Sequence, residues 1–155
     1  LSTAVNKDMV IEEAMLDFLN SWNDKPCEIK LDELEKEGLS MCFQPLSGAK
    51  TTRKYINGSY SADFPFAIIV RVNNFDTKAK IKPREIFQQL DEWFSQKDAE
   101  KKEYINLPTL SGGNTATKIE MTATPAVSFR YENGTDDYQA VFQLKYKHKE
   151  EKVNA

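Results

Sequence analysis

KYINGSYSADFPFAIIVRV, residues 54–72, and RYENGTDDYQAVFQLKYK, residues 130–147, share one layout. In each, a basic residue and a tyrosine precede Asn-Gly, a hydroxyl residue follows, and a long alternating apolar run comes next. Asn and Gly tolerate positive φ better than other residues, so Asn-Gly between alternating segments marks a tight β-hairpin. Tyr55 and Tyr131 are placed to make aromatic cross-strand contacts beside the turns. Two hairpins obeying the same turn chemistry look alike with or without common descent, so the echo alone does not establish a duplication.

Working outward, Phe66, Ile68, Val70 and Val72 alternate with Ala67, Ile69 and Arg71. A strand apolar on both faces at its centre is expected to be internal. Leu39, Met41 and Phe43 alternate with Ser40 and Cys42 before Pro45, which predicts another strand. Lys118–Thr124 forms a third candidate, with Ile119, Met121 and Ala123 on one side. Val127, Phe129 and Tyr131 are expected to pair across the second turn with Tyr138, Ala140, Phe142, Leu144 and Tyr146.

Two helices complete the pattern. Ile11, Met15, Phe18, Leu19 and Trp22 lie on one stripe, with Glu12, Glu13, Asp17 and Asn20 on the other face, which predicts a helix over 8–22 ending before Pro26. Pro83 suits the first turn of a second helix carrying Ile86, Phe87, Leu90, Trp93 and Phe94. Each helix has a single apolar stripe and needs one surface to lie on. The expected fold is α+β: an antiparallel sheet of about six strands built from hairpins, with both helices packed on one face.

The chain has 155 residues, 40% of them hydrophobic, enough for one core and hence a single domain over 1–155 with polar ends at 1–7 and 149–155. No apolar run approaches the roughly 20 residues needed to cross a bilayer. The opening LSTAVNKDMV lacks the basic flank and hydrophobic stretch of a secretion signal, so a soluble intracellular protein is expected. Residues 1–38 hold four Lys and ten Asp or Glu, while the rest of the chain carries a net excess of basic residues. That balance argues against nucleic-acid binding, which relies on clustered cations, and makes the N-terminal face a solvated surface or a patch for a basic partner.

Catalytic chemistry finds little support. Cys27 and Cys42 are too far apart for a CxxC unit and read as reduced, partly buried thiols, with a structural disulfide as the alternative. His148 is the sole histidine and lacks neighbours at metal-ligand spacing, so no metal, cofactor or enzymatic function is expected. The segment 97–118 is long and turns small and polar at Ser111-Gly112-Gly113-Asn114. It matches neither nucleotide-binding glycine motif and reads as a flexible connector. Asp136-Asp137 reads as turn solvation, and Lys145, Lys147, Lys149 and Lys152 as edge-strand lysines that block unwanted pairing.

The acidic N-terminal helix ending in Trp, RKYINGSYSADFPFAIIVRV, the helix containing IFQQLDEWF and the closing TPAVSFRYENGTDDYQAVFQLKYKH together resemble the tail terminator and minor capsid proteins of long-tailed bacteriophages and prophages. The resemblance spans roughly residues 8–148 and is carried by order and texture, since the family has no catalytic signature. It implies a subunit that closes into a ring, typically six-fold, on the head-proximal end of the tail tube. Its partners would be copies of itself, the major tail tube protein and a head-completion or connector protein. Its place would be the virion tail, after assembly in the bacterial cytoplasm. Under this reading Ser111, Gly112, Gly113 and Asn114 form a loop that orders on assembly, and Arg53, Lys54, Asp136 and Asp137 make contacts at the hairpin ends. The alternative is a monomeric α+β module that binds a peptide or small ligand.

Overall fold

The computed structural model describes residues 7–36, 38–73 and 83–150; the chain ends at 1–6 and 151–155, Lys152 included, lie outside the described residues. In chain order come α1 (Lys7–Asn20), β1 (Ile29–Leu31), β2 (Ser40–Pro45), β3 (Lys50–Lys54), β4 (Tyr60–Asn73), α2 (Pro83–Ser95), β5 (Asn114–Arg130) and β6 (Thr135–His148). The six strands form one sheet in the order β1-β2-β4-β6-β5, with β3 also paired to β4. Because β2 covers Phe66–Arg71 and β3 covers Tyr60–Asp63, both share one edge of β4.

The sequence echo is an echo in space. Aligning Tyr55 with Tyr131 superimposes Phe66 on Phe142, and these two residues lie directly opposite each other across the β4–β6 ladder. Phe64 pairs with Leu144 and Ile68 with Ala140, so each echoed pair is exchanged about the Phe66–Phe142 centre. The two hairpins are therefore related by a local two-fold axis, and their turns point to opposite ends of the sheet.

Both turns use the same hydrogen bonds. Tyr55 N donates to Ser59 O (2.8 Å) and Gly58 N to Tyr55 O (3.1 Å), and Tyr131 N to Thr135 O and Gly134 N to Tyr131 O repeat those distances. Positive φ falls only on the glycines, Gly58 at 88° and Gly134 at 85°. The asparagines instead accept hydrogen bonds through Oδ1, Asn57 from Ser59 N (3.0 Å) and Asn133 from Thr135 N (3.1 Å). This is a three-residue loop with a glycine bulge, so Asn supplies an acceptor and Gly alone supplies the left-handed backbone. The tyrosines meet guanidinium groups: Arg53 lies over Tyr55 at 5.6 Å and Arg71 over Tyr131 at 4.9 Å.

One core joins the helices to one face of the sheet. Ile11, Met15, Leu19 and Trp22 from the first helical segment, and Ile86, Phe87, Leu90 and Phe94 from α2, cluster with Met41, Phe43, Phe64, Phe66 and Phe142. Phe66 stacks on Phe142 at 5.6 Å, Phe94 meets Phe142 edge-on at 5.3 Å, and Phe43 meets Phe66 edge-on at 5.2 Å. Phe18 stacks on Trp93 at 4.6 Å, fastening the helices to each other.

Several expectations change. The sheet is mixed, because β1 runs parallel to β2. Three residues need only a short return path, so residues 32–39 suffice as the connection. The segments 118–124 and 127–130 are one strand, β5, with Tyr131 just past its end; its register shifts at four places and it holds Pro125. An edge position tolerates both features. The lysine run does not lie on an edge: β6 is internal, between β4 and β5. Lys145 reaches Glu120 at 3.3 Å on the neighbouring strand.

Asn20, expected on the solvated face of α1, instead clasps β1. Its side-chain amide donates to Ile29 O (2.9 Å) and accepts from Ile29 N (2.9 Å), completing the backbone pairing of that residue. The helix ends there, with Trp22 N closing a tighter turn onto Leu19 O.

Truncating the central aromatic leaves a cavity where collapse is blocked on all sides. Phe142→Ala should lower unfolding free energy by about 3–5 kcal/mol, while Phe129→Ala, at a ring 56% exposed, should change it by less than about 0.5 kcal/mol. Urea denaturation followed by tryptophan fluorescence checks the pair, and equal effects would contradict this placement of the core.

Candidate assembly surfaces

The start of β4, the end of β6 and the start of β5 align at one end of the sheet, where Tyr60 faces His148 and His148 faces Asn114. His148 stacks on Tyr60 at 4.7 Å. Its Nδ1 lies 2.8 Å from Asn114 Oδ1 and its Nε2 lies 3.0 Å from Glu150 Oε2. Glu150 N donates to Ser59 Oγ (3.1 Å), and Lys149 N donates to Gly113 O (2.9 Å). The first turn, the glycine loop and the segment after β6 are thereby tied together around a cleft of about 1050 Å³, lined by Asn57, Leu110, Ser111–Thr115, Lys149 and Glu150.

Six of the eight residues singled out from sequence gather here. Ser111, Gly112, Gly113 and Asn114 line the cleft, while Arg53 and Lys54 are exposed on β3 beside the turn. Asp136 and Asp137 lie at the opposite end of the sheet and are buried. Asp137 accepts from Arg71 Nε (2.7 Å) and Nη2 (3.0 Å) and from the Tyr131 hydroxyl (2.9 Å). Arg71 also donates to Tyr131 Oη (2.8 Å) and to Glu35 O (3.0 Å). Hydrogen bonding to Asp137 raises both the Arg71 guanidinium and the Tyr131 phenol above their ordinary pKa values. This end is an internally satisfied network, whereas the sequence had placed its acids at a solvated turn.

The long connection after α2 is also tied down over its first half. Asp98 accepts from the backbone N–H groups of Lys101 (2.7 Å) and Glu103 (2.6 Å), which hold its carboxyl below the usual range. Asn106 donates to Trp93 O (2.8 Å) and Gln96 Oε1 (2.8 Å). What the sequence presented as one flexible connector is a fastened segment followed by the turn at Ser111–Gly113.

Both cysteines are free thiols. Burial raises Cys27, and burial followed by the Asp32 and Asp137 carboxylates pushes Cys42 up to about 11, so neither is held as a reactive thiolate at neutral pH. Among the described residues no group of three or more His, Cys, Asp or Glu side chains could hold a metal ion, and no helix is long and apolar enough to cross a membrane. Burial raises Asp91, which sits on α2 away from the cleft. The sequence reading passed over His148, Glu150 and Ser59 as site residues. The available signal was their equal distance from the echoed phenylalanines, Tyr60 six residues before Phe66 and His148 six after Phe142.

Gly112 and Gly113 both have positive φ, at 68° and 81°. A Cβ on Gly113 would meet Lys149 O at 2.7 Å, whereas one on Gly112 meets nothing within 4 Å. Gly113→Ala should therefore lower Tm clearly more than Gly112→Ala, whose cost is conformational and of order 1–3 kcal/mol; equal shifts in thermal melts would contradict the tie to Lys149. For Cys42, a folded-state value above its ordinary 9.0 means the contribution is complete below pH 9 and lost as pH rises toward 11. Denaturation curves against pH should show wild type losing stability over that window faster than Cys42→Ala, and parallel curves would contradict it.

No protein-family model matches the chain and no curated protein matches it, so its functional reading rests on the residues themselves and on the resemblance drawn from them.

Proposed function

We propose that this protein is a tail terminator-like structural subunit of a long-tailed phage or prophage. It closes into a ring on the head-proximal end of the tail tube, stops tube polymerisation and contributes to head–tail joining. Its partners are copies of itself, the major tail tube protein and a head-completion or connector protein, in a virion assembled in the bacterial cytoplasm.

The observation that carries this reading is the segregation of packing from display. The helices seal one sheet face, while all five residues of β3 are exposed and, among the described residues, the strand pairs only with β4. A short, cationic strand with an open edge is suited to docking through strand addition or side-chain contact. A heterologous contact whose rotation closes makes a ring, and a ring with only one face complementary to the tube halts growth without chemistry. The monomeric ligand-binding alternative draws on the large cleft, but that cleft is lined mainly by Asn, Ser, Gly and Thr with Leu110 as its apolar member. Small-molecule pockets are predominantly apolar.

Omitting the protein during tail assembly tests the role. Tubes should overrun to heterogeneous lengths and fail to join heads, as seen by negative-stain microscopy; tubes of normal, uniform length would overturn the proposal.

A further inference from the structure

Ile56, at the tip of the first turn, is fully exposed at 109%. Its hairpin carries Lys50, Arg53 and Lys54, all exposed, and none forms an ion pair among the described residues. An exposed apolar knob on a hairpin whose cations have no acidic partner among the described residues is poorly explained by solvation alone, since loop tips ordinarily carry small or polar residues.

Elsewhere on the molecule lies its complement. Ala14 and Phe18 of α1, with Leu107 and Pro108, line a groove of about 370 Å³. Phe18 is fixed there by its stack on Trp93. Asp17 borders the groove, and Glu13 lies one helical turn before it on the same row. Both acids are exposed and neither forms an ion pair among the described residues. Asp24 and Glu28, which follow the helix in the chain, are also exposed.

We infer that the β3–β4 hairpin of one copy docks on the α1 groove of a second copy, seating Ile56 against Ala14, Phe18, Leu107 and Pro108 while Arg53 and Lys54 meet Glu13 and Asp17. An aliphatic anchor in a pocket, rimmed by complementary charge, supplies affinity at its centre and register at its edge. Knob and groove share no residue, so the contact is heterologous and every subunit offers one of each. The inference rests on the ring reading above and assigns its subunit interface.

Reciprocal charge reversal tests it by sedimentation velocity over a concentration range. R53E/K54E makes knob and groove both acidic, and E13K/D17K makes both basic; all four side chains are exposed, so thermal melts should remain close to wild type. Each variant alone should lose self-association by at least about tenfold, as should I56D. Mixing the two charge variants should restore assembly, and so should combining all four substitutions in one chain. Wild-type association by either charge variant, or failure of the mixture to recover, would overturn the interface while leaving the ring reading intact if wild type still assembles. A wild type that stays monomeric throughout would overturn the interface together with self-assembly, and the tube-length experiment would then judge the capping role separately.

Discussion

The stacked pair Phe66–Phe142, 5.6 Å between ring centroids, is the contact around which the molecule is arranged. It sits on the local two-fold axis that relates the two hairpins and sets the register of the longest antiparallel ladder. Phe94 and Phe43 meet it edge-on from α2 and β2. One cluster of rings therefore fixes how the hairpins face each other, where the second helix lies and which side of the sheet is dry. Each buried ring contributes roughly 1.5–3 kcal/mol through removal from water, and edge-to-face pairs add about 0.5–1.5 kcal/mol beyond area.

The two-fold relation is geometric and stops short of the ends. At one end Arg71, Asp137 and Tyr131 satisfy one another and close the second turn against the sheet. At the other, His148, Asn114, Glu150 and Ser59 hold the first turn and the glycine loop in place, while Ile56 and the β3 cations face outward. Similar turn chemistry thus supports different jobs: a sealed corner and a displayed one. In the proposed ring, the displayed corner belongs to the contact between neighbours, and rigid anchoring of its base lowers the entropy lost on docking.

Long-period features were legible in the sequence. The stripes Ile11–Trp22 and Ile86–Phe94 gave the helices and their buried faces, and both Asn-Gly turns gave hairpins in the right places. Features set by partners distant in the chain were not. The pairing of β1 with β2 depends on three residues and on the Asn20 clasp, and neither has a periodic signature. Residues 118–131 read as two strands because Pro125 interrupts the pattern, although an edge strand accommodates it. Asp137 looked solvated because Arg71 lies in another strand, and the site grouping of His148 with Ser111–Asn114 follows from β5–β6 register that local sequence does not set. The exposure of Arg53 and Lys54 could be anticipated because charged residues beside a turn face solvent for local reasons.

Backbone hydrogen exchange on the free and the assembled protein addresses the division between seam and display most directly. Free protein should show its slowest amides around Phe64–Ile68 and Ala140–Leu144, exchanging only by global unfolding, with fast exchange at Arg53–Ser59. Assembly should add protection at Arg53–Ser59 and at the 13–18 and 107–109 surfaces, leaving the seam unchanged. Protection gained elsewhere with these segments still fast, or a seam that exchanges as readily as the hairpin tip, would contradict the account.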